Sequence, residues 1–256
     1  MGHAVFSLGL ALGVFAGSLG CWEVGRRLAA RRRAADGDGP GMGAVEGAVF
    51  GLMGLLLAFS FSGAMSRWDT RRELIVEETN DIGTAWLRLE LLPAAAQPEL
   101  RELFRRYLDS RIATYRLVPD VQAIQAELAR SAALQQEIWT KSIAACTTPE
   151  GERARILLLP ALNAMIDITT TRTVAAMTHP PVVINAILVL LVLVSSLMAG
   201  SAMSRVHAVG WAHVICFALA MSVAVYLILD LEYPRQGLIR IDAHDQILID
   251  LRATMN

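Results

Sequence analysis

The side chains able to do chemistry are few and scattered. Glu77, Glu78 and Asp81 form the densest carboxylate group, the kind of cluster that could hold a divalent cation. Consecutive acids on a helix point in different directions, so this spacing favours a solvated or ion-paired face over a metal site. Cys21, Cys146 and Cys216 are far apart, with neither metal-ligand spacing nor a disulfide framework, and they suit the role of small apolar fillers. No nucleophile stands beside a base. The sequence therefore predicts no enzyme, no catalytic residue, no metal and no cofactor. Two ionisable groups draw interest through their positions instead. Glu46 sits near the entry of an apolar run, where it is either an acid favoured by the helix N-terminus or a charge facing a pore or vestibule. His213 lies inside another such run, as a packing histidine near the interface or as a proton or ion site.

The elements that must position these groups follow from hydropathy. The chain is 54% hydrophobic, 18% charged and of formal net charge -1. That balance is too apolar for an ordinary soluble domain, too charged for one wholly in lipid, and unlike a nucleic-acid binder. Four apolar runs, at about 3–22, 43–65, 181–200 and 208–229, are long enough to cross a hydrocarbon core of ~30 Å as helices. The first is followed, not preceded, by its arginines (Arg26, Arg27, Arg31, Arg32, Arg33), the reverse of a signal peptide. ADGDGPGMG then reads as a flexible loop. The predicted fold is all-α. A first transmembrane pair occupies 1–65, a soluble helical insert 66–179, a second pair 180–230 and a tail 231–256.

Inside the second span, Gly43, Gly47 and Gly51 recur every fourth residue with Gly54 a turn beyond, a bare face that another helix could approach closely. Phe50, Leu57 and Phe61 are assigned to a different face. They form a packing or lipid-facing stripe or, if several copies surround an axis, a hydrophobic constriction that gates by dewetting. Past Ser66 the helical phase continues through Trp68, Leu74, Ile75 and Ile82, so this helix is expected to leave the bilayer unbroken.

In the insert, Pro93 and Pro98 end that long helix. A second helix over Glu99–Leu117 gathers Leu100, Leu103, Phe104, Tyr107, Leu108 and Ile112 on one side. A third opens at Pro119 and Asp120 and runs to about Ala145. A fourth is predicted from Pro149, capped by Thr148 and kinked at Pro160, to about Met177. After the last span, Asp230, Glu232 and Arg235 crowd DLEYPRQGLIRID, a pattern expected of a hydrogen-bonded, ion-paired junction, and the tail holds one more short helix. The arginines after the first span, with Arg205, place the two short connections in the cytoplasm and the insert outside, although Arg67, Arg71, Arg72, Arg172, Arg235 and Arg240 weaken that asymmetry.

EGAVFGLMGLLLAFSFSGA, RWDTRRELIVEETNDIGTAWLRLELLP, LFRRYLDSR and DLEYPRQGLIRI occur in order from about Gly43 onward, and this set resembles the bacterial bestrophin-like membrane family. The resemblance implies a multi-pass protein of the bacterial inner membrane. By likeness to bestrophins it also implies a homo-oligomeric, pentameric class of anion (chloride) channel: four membrane helices per subunit, a cytosolic helical domain and a hydrophobic neck from the second helix. Phe50, Leu57 and Phe61 would be the neck, matched by helix face. Glu46, Asp230 and Arg235 are the vestibule or ion-pair candidates. The implied partners are the lipid bilayer, further copies of the chain and inorganic ions, with no nucleic acid. The sequence has no acidic run like the bestrophin calcium clasp, so calcium gating is not implied, and its arginine distribution opposes a cytosolic insert. The competing reading is a membrane-anchored scaffold or sensor whose insert binds a partner.

Overall fold

The computed structural model describes residues 2–36, 43–205 and 210–255. Those residues form eight α-helices and no strand: α1 (Gly2–Asp36), α2 (Gly43–Arg88), α3 (Gln97–Arg116), α4 (Val121–Cys146), α5 (Arg155–Met177), α6 (Val182–Ala202), α7 (Trp211–Glu232) and α8 (Gln246–Thr254). Most of the loop predicted at ADGDGPGMG, and the turn at His207, lie outside the described residues. The helices sort into two compact units. One comprises Met1–Arg67 with His179–Ile239, the other Trp68–Thr178 with Arg240–Asn256. The long α2 contributes its apolar half to the first and its charged half to the second.

The first unit holds four helices long and apolar enough to cross a membrane, when the apolar half of α2 is counted with α1, α6 and α7. Here α1 packs along α6 and α7. Small residues bring the backbones of α1 and α6 together: a Cβ on Gly25 would stand 1.9 Å from the Leu197 carbonyl oxygen, and one on Gly200 1.9 Å from that of Trp22. Between α7 and α1 a buried hydroxyl is satisfied by backbone, Ser222 donating to the Ala11 carbonyl at 2.6 Å. The structure corrects the expectation for α1, which continues through the arginines to Asp36. Nothing between Trp22 and Ala35 breaks a helix, since Gly and Pro cluster only from Gly37 onward.

The second unit buries Ile75, Ile82 and Trp86 of α2 against Leu103, Phe104, Tyr107 and Leu108 of α3, Leu134 and Ile138 of α4, and Leu158, Leu162 and Met165 of α5. The α3 residues are those whose spacing marked an apolar face. Asp120 caps α4, accepting from the Ala123 amide at 3.0 Å. The fourth insert helix starts later than expected. Thr148 to Gly151 form turns, with the Thr148 hydroxyl donating to the Ala145 carbonyl and accepting from the Gly151 amide. Helical structure begins with a single 3₁₀ turn at Glu152 and α5 at Arg155. A Cβ at Gly151 would stand 2.1 Å from the Ala145 oxygen, so the chain turns back closely on the end of α4 there. Pro160 is accommodated inside α5. The tail is divided between the units, with α8 packing on α3.

Candidate functional site

The apolar half of α2 is the least covered of the four long helices. Only 11% of its span window is buried, against 44% for α7. Met53 and Ala64 are buried, whereas Leu52, Leu55, Phe59 and Phe61 are exposed. Phe50, Leu57 and Phe61 keep a common stripe, because separations of seven and four residues return to within roughly 20° of the same direction. Their surroundings differ. The Phe50 ring lies edge-on to Phe217 of α7, with centroids 6.3 Å apart, Leu57 is half-buried, and Phe61 is 45% exposed.

The glycines need a correction. At 3.6 residues per turn, Gly43 and Gly54 fall within roughly 40° of Phe50, and Gly47 within roughly 60°. Gly43, Gly47 and Gly54 therefore share a broad face with the bulky stripe, while Gly51 stands about 100° from Phe50. Around Gly43, Gly47, Gly51 and Gly54, no atom of the described residues approaches within 4 Å of a Cβ position, the helix's own nearby backbone aside. Among those residues nothing uses the close approach these glycines permit. Glu46 is half-buried in the first turn of α2, where the helix dipole favours an acid. His213 is exposed in the first turn of α7 rather than packed inside it.

The junction after α7 is both hydrogen-bonded and ion-paired. Asp230 is 2% exposed, yet its carboxylate serves a turn. It accepts from the Leu238 amide at 2.9 Å, the Ile239 amide at 2.8 Å and the Tyr226 hydroxyl at 3.1 Å. Gly237 is required there, since a Cβ would stand 2.1 Å from an Asp230 oxygen. Arg235 is half-buried in the same turn. The buried ion pair belongs to Glu232, which accepts a bidentate fork from Arg67 of α2, with Nε at 3.0 and 3.1 Å from the two carboxylate oxygens. His179 stands 3.7 Å from the same carboxylate and stacks on Tyr233. Beside this pair is a cavity of about 240 Å³ lined by Leu56, Phe59, Ser60, Asn185, Ile228 and Arg67. Local sequence pattern carries no signal for the Arg67–Glu232 pair, whose members are 165 residues apart.

In the second unit the carboxylate trio separates as helix geometry requires. Glu77 is exposed, Asp81 half-buried and Glu78 wholly buried. Glu78 accepts from Arg111 Nε of α3 at 2.5 Å and from Arg172 of α5. Tyr115 lies under both guanidiniums, 5.3 and 3.8 Å from ring centroid to Cζ. Burial would depress the Arg111 guanidinium, but Tyr115 and Glu78 beside it hold it above its ordinary value. Among the described residues no group of three or more His, Cys, Asp and Glu side chains converges as a metal site.

Comparison with known proteins places this architecture. A family model described as a bestrophin-like domain matches residues 12–245. A crystal structure of a bacterial bestrophin homologue from Klebsiella pneumoniae superposes with a TM-score of 0.68 at 15% identity, covering 97% of this chain and 98% of that one. A single-substitution variant of that homologue gives a TM-score of 0.66, also at 15% identity, over 98% and 99% of the two chains. No curated protein matches the sequence.

Proposed function

The chain belongs to the bestrophin-like family, and we propose on that premise that it is a homo-oligomeric ion channel of the bacterial inner membrane, multi-pass and selective for anions such as chloride. The observation that carries this reading is the uncovered face of α2. A helix with the apolar length of a membrane span leaves Phe61 exposed and, among the described residues, its glycine face without a neighbour. Copies arranged around an axis, as a pentamer, supply the missing neighbours and turn the stripe into a hydrophobic neck. Glu46, near the start of the same helix, stands at the level of a vestibule.

The test has two arms. Single-particle imaging of detergent-purified protein counts the subunits and shows whether α2 surrounds the axis. Liposomes with unequal chloride and equal cation concentrations give a reversal potential near the chloride equilibrium value if anions carry the current. A monomer with Phe61 facing lipid, or a ring passing no ion under varied pH and voltage, overturns the proposal.

A further inference from the structure

The arginine segment continues α1 past Trp22 without a break. Gly2–Asp36 is a helix of 35 residues, about 52 Å at 1.5 Å per residue, and thus roughly 20 Å longer than a hydrocarbon core. Its inner side is fixed. Gly25 and the Trp22 carbonyl lie against α6, and Arg33 donates to the Ser204 hydroxyl just beyond that helix. Trp22 packs against Trp211 at the start of α7, with centroids 5.4 Å apart. Paired tryptophans at one end of the spans mark the level of a membrane–water interface.

The outer side is uncommitted. Arg26 and Arg27 share Glu23, with the closest contacts at 2.8 and 2.6 Å. Arg31 and Arg32 are exposed and, among the described residues, contact no acid. Val24 and Leu28, 48% and 49% exposed, lie on the same outward side as Arg31. The strip runs from apolar to basic as the helix rises past the tryptophan level. Hydrocarbon suits Val24 and Leu28, and a phosphodiester suits a planar guanidinium that forks two oxygens.

We propose that Arg31 and Arg32, with Val24 and Leu28 beneath them, form a binding surface for anionic glycerophospholipid headgroups. The surface holds the lipid at the outer side of α1. The inference rests on the membrane placement given above and is independent of conduction.

The test uses the full-length protein in vesicles of phosphatidylcholine or phosphatidylglycerol with brominated acyl chains, which quench nearby indoles. Trp211, 54% exposed at the same end, is the reporter, isolated as the difference between wild type and Trp211→Phe. Brominated phosphatidylglycerol should quench at a several-fold lower mole fraction than brominated phosphatidylcholine. Arg31→Gln/Arg32→Gln should bring the two lipids to equality, and Arg153→Gln, an exposed arginine of the other unit, should leave the preference intact. Raised ionic strength should also remove the preference from wild type, a readout that needs no variant to fold. Inorganic phosphate at matched ionic strength should not compete, which separates a lipid site from a free-phosphate site. Equal quenching by both lipids in wild type, or a preference that survives the double substitution, overturns this inference alone. Quenching by neither lipid overturns the membrane placement and this inference with it.

Discussion

Glu78 shows how far a single carboxylate departs from its neighbours one turn of sequence away. It is wholly buried between two guanidiniums from different helices, so α2, α3 and α5 meet at its two oxygens. Removing one member of such a group strands the others in a low dielectric. Glu78→Gln is expected to cost about 3–5 kcal/mol, seen as a large fall in Tm in thermal unfolding. Glu77→Gln, on the exposed side, should change stability by no more than about 0.5 kcal/mol. Tyr107 is buried beside the same network, accepting from Gln135 Nε2 at 3.0 Å. Burial pushes its phenol well above the ordinary value near 10, and the Glu78 charge adds to the shift. The folded state therefore keeps the proton when the unfolded chain begins to lose it. This contribution is complete below pH ~10 and is lost as pH climbs toward the folded value, with a slope of up to about 1.4 kcal/mol per pH unit. Wild-type stability should drop above pH ~10 more steeply than that of Tyr107→Phe, measured by denaturant titration across pH. The sequence marked Glu78 only as one of three acids. Its burial depends on arginines 33 and 94 residues away, which local periodicity does not encode.

At the scale of elements, glycine does two different jobs in the first unit. Gly200 and Gly25 let two helices touch through their backbones, so Gly200→Val must push α1 from α6. The expected loss is about 3 kcal/mol of protomer stability, visible as lower thermal stability in detergent. A Cβ on Gly51 meets nothing within 4 Å among the described residues. Gly51→Leu should leave helicity and protomer stability intact but break the assembly, which light scattering on a sizing column would report as a smaller particle. A protomer that unfolds on Gly51→Leu would mean that the bare face is used internally. Helix extents were largely legible, because the apolar period of α3, the Asp120 cap and the unbroken phase of α2 are local signals. The errors have local causes too. Thr148-Pro149-Glu150 carries a capping pattern, but Thr148 spends its hydroxyl on a turn that closes on α4, and α5 begins only at Arg155. Assigning Gly43 and Phe50 to separate faces failed on simple angular grounds, since their separation of seven residues nearly closes two turns of roughly 3.6 residues each. Asp230, Glu232 and Arg235 were recognised as a structured junction, whereas the partner of Glu232 came from another helix entirely.

For the whole molecule, four ordered motifs pointed to the family that residues 12–245 match, and the fold agrees with a bacterial bestrophin homologue over nearly all of both chains. Which residues control conduction depends on the assembly, and here the protomer makes a graded prediction. A neck residue must be spared by its own chain. Phe50 is engaged by Phe217, Leu57 is half-buried and Phe61 is 45% exposed. If conduction is limited by a hydrophobic constriction, shortening a ring that faces the axis eases wetting and raises current, whereas shortening one that packs on α7 mainly costs stability. Phe61→Ala should therefore raise single-channel conductance or open probability several-fold with Tm little changed. Leu57→Ala should act in the same direction but less. Phe50→Ala should lower stability by about 3 kcal/mol with the smallest effect on current. Planar-bilayer recordings paired with thermal unfolding of the three variants read both quantities. Equal currents for Phe61→Ala and wild type, together with a fall in Tm, would place Phe61 in a packing contact between subunits and move the constriction elsewhere on α2.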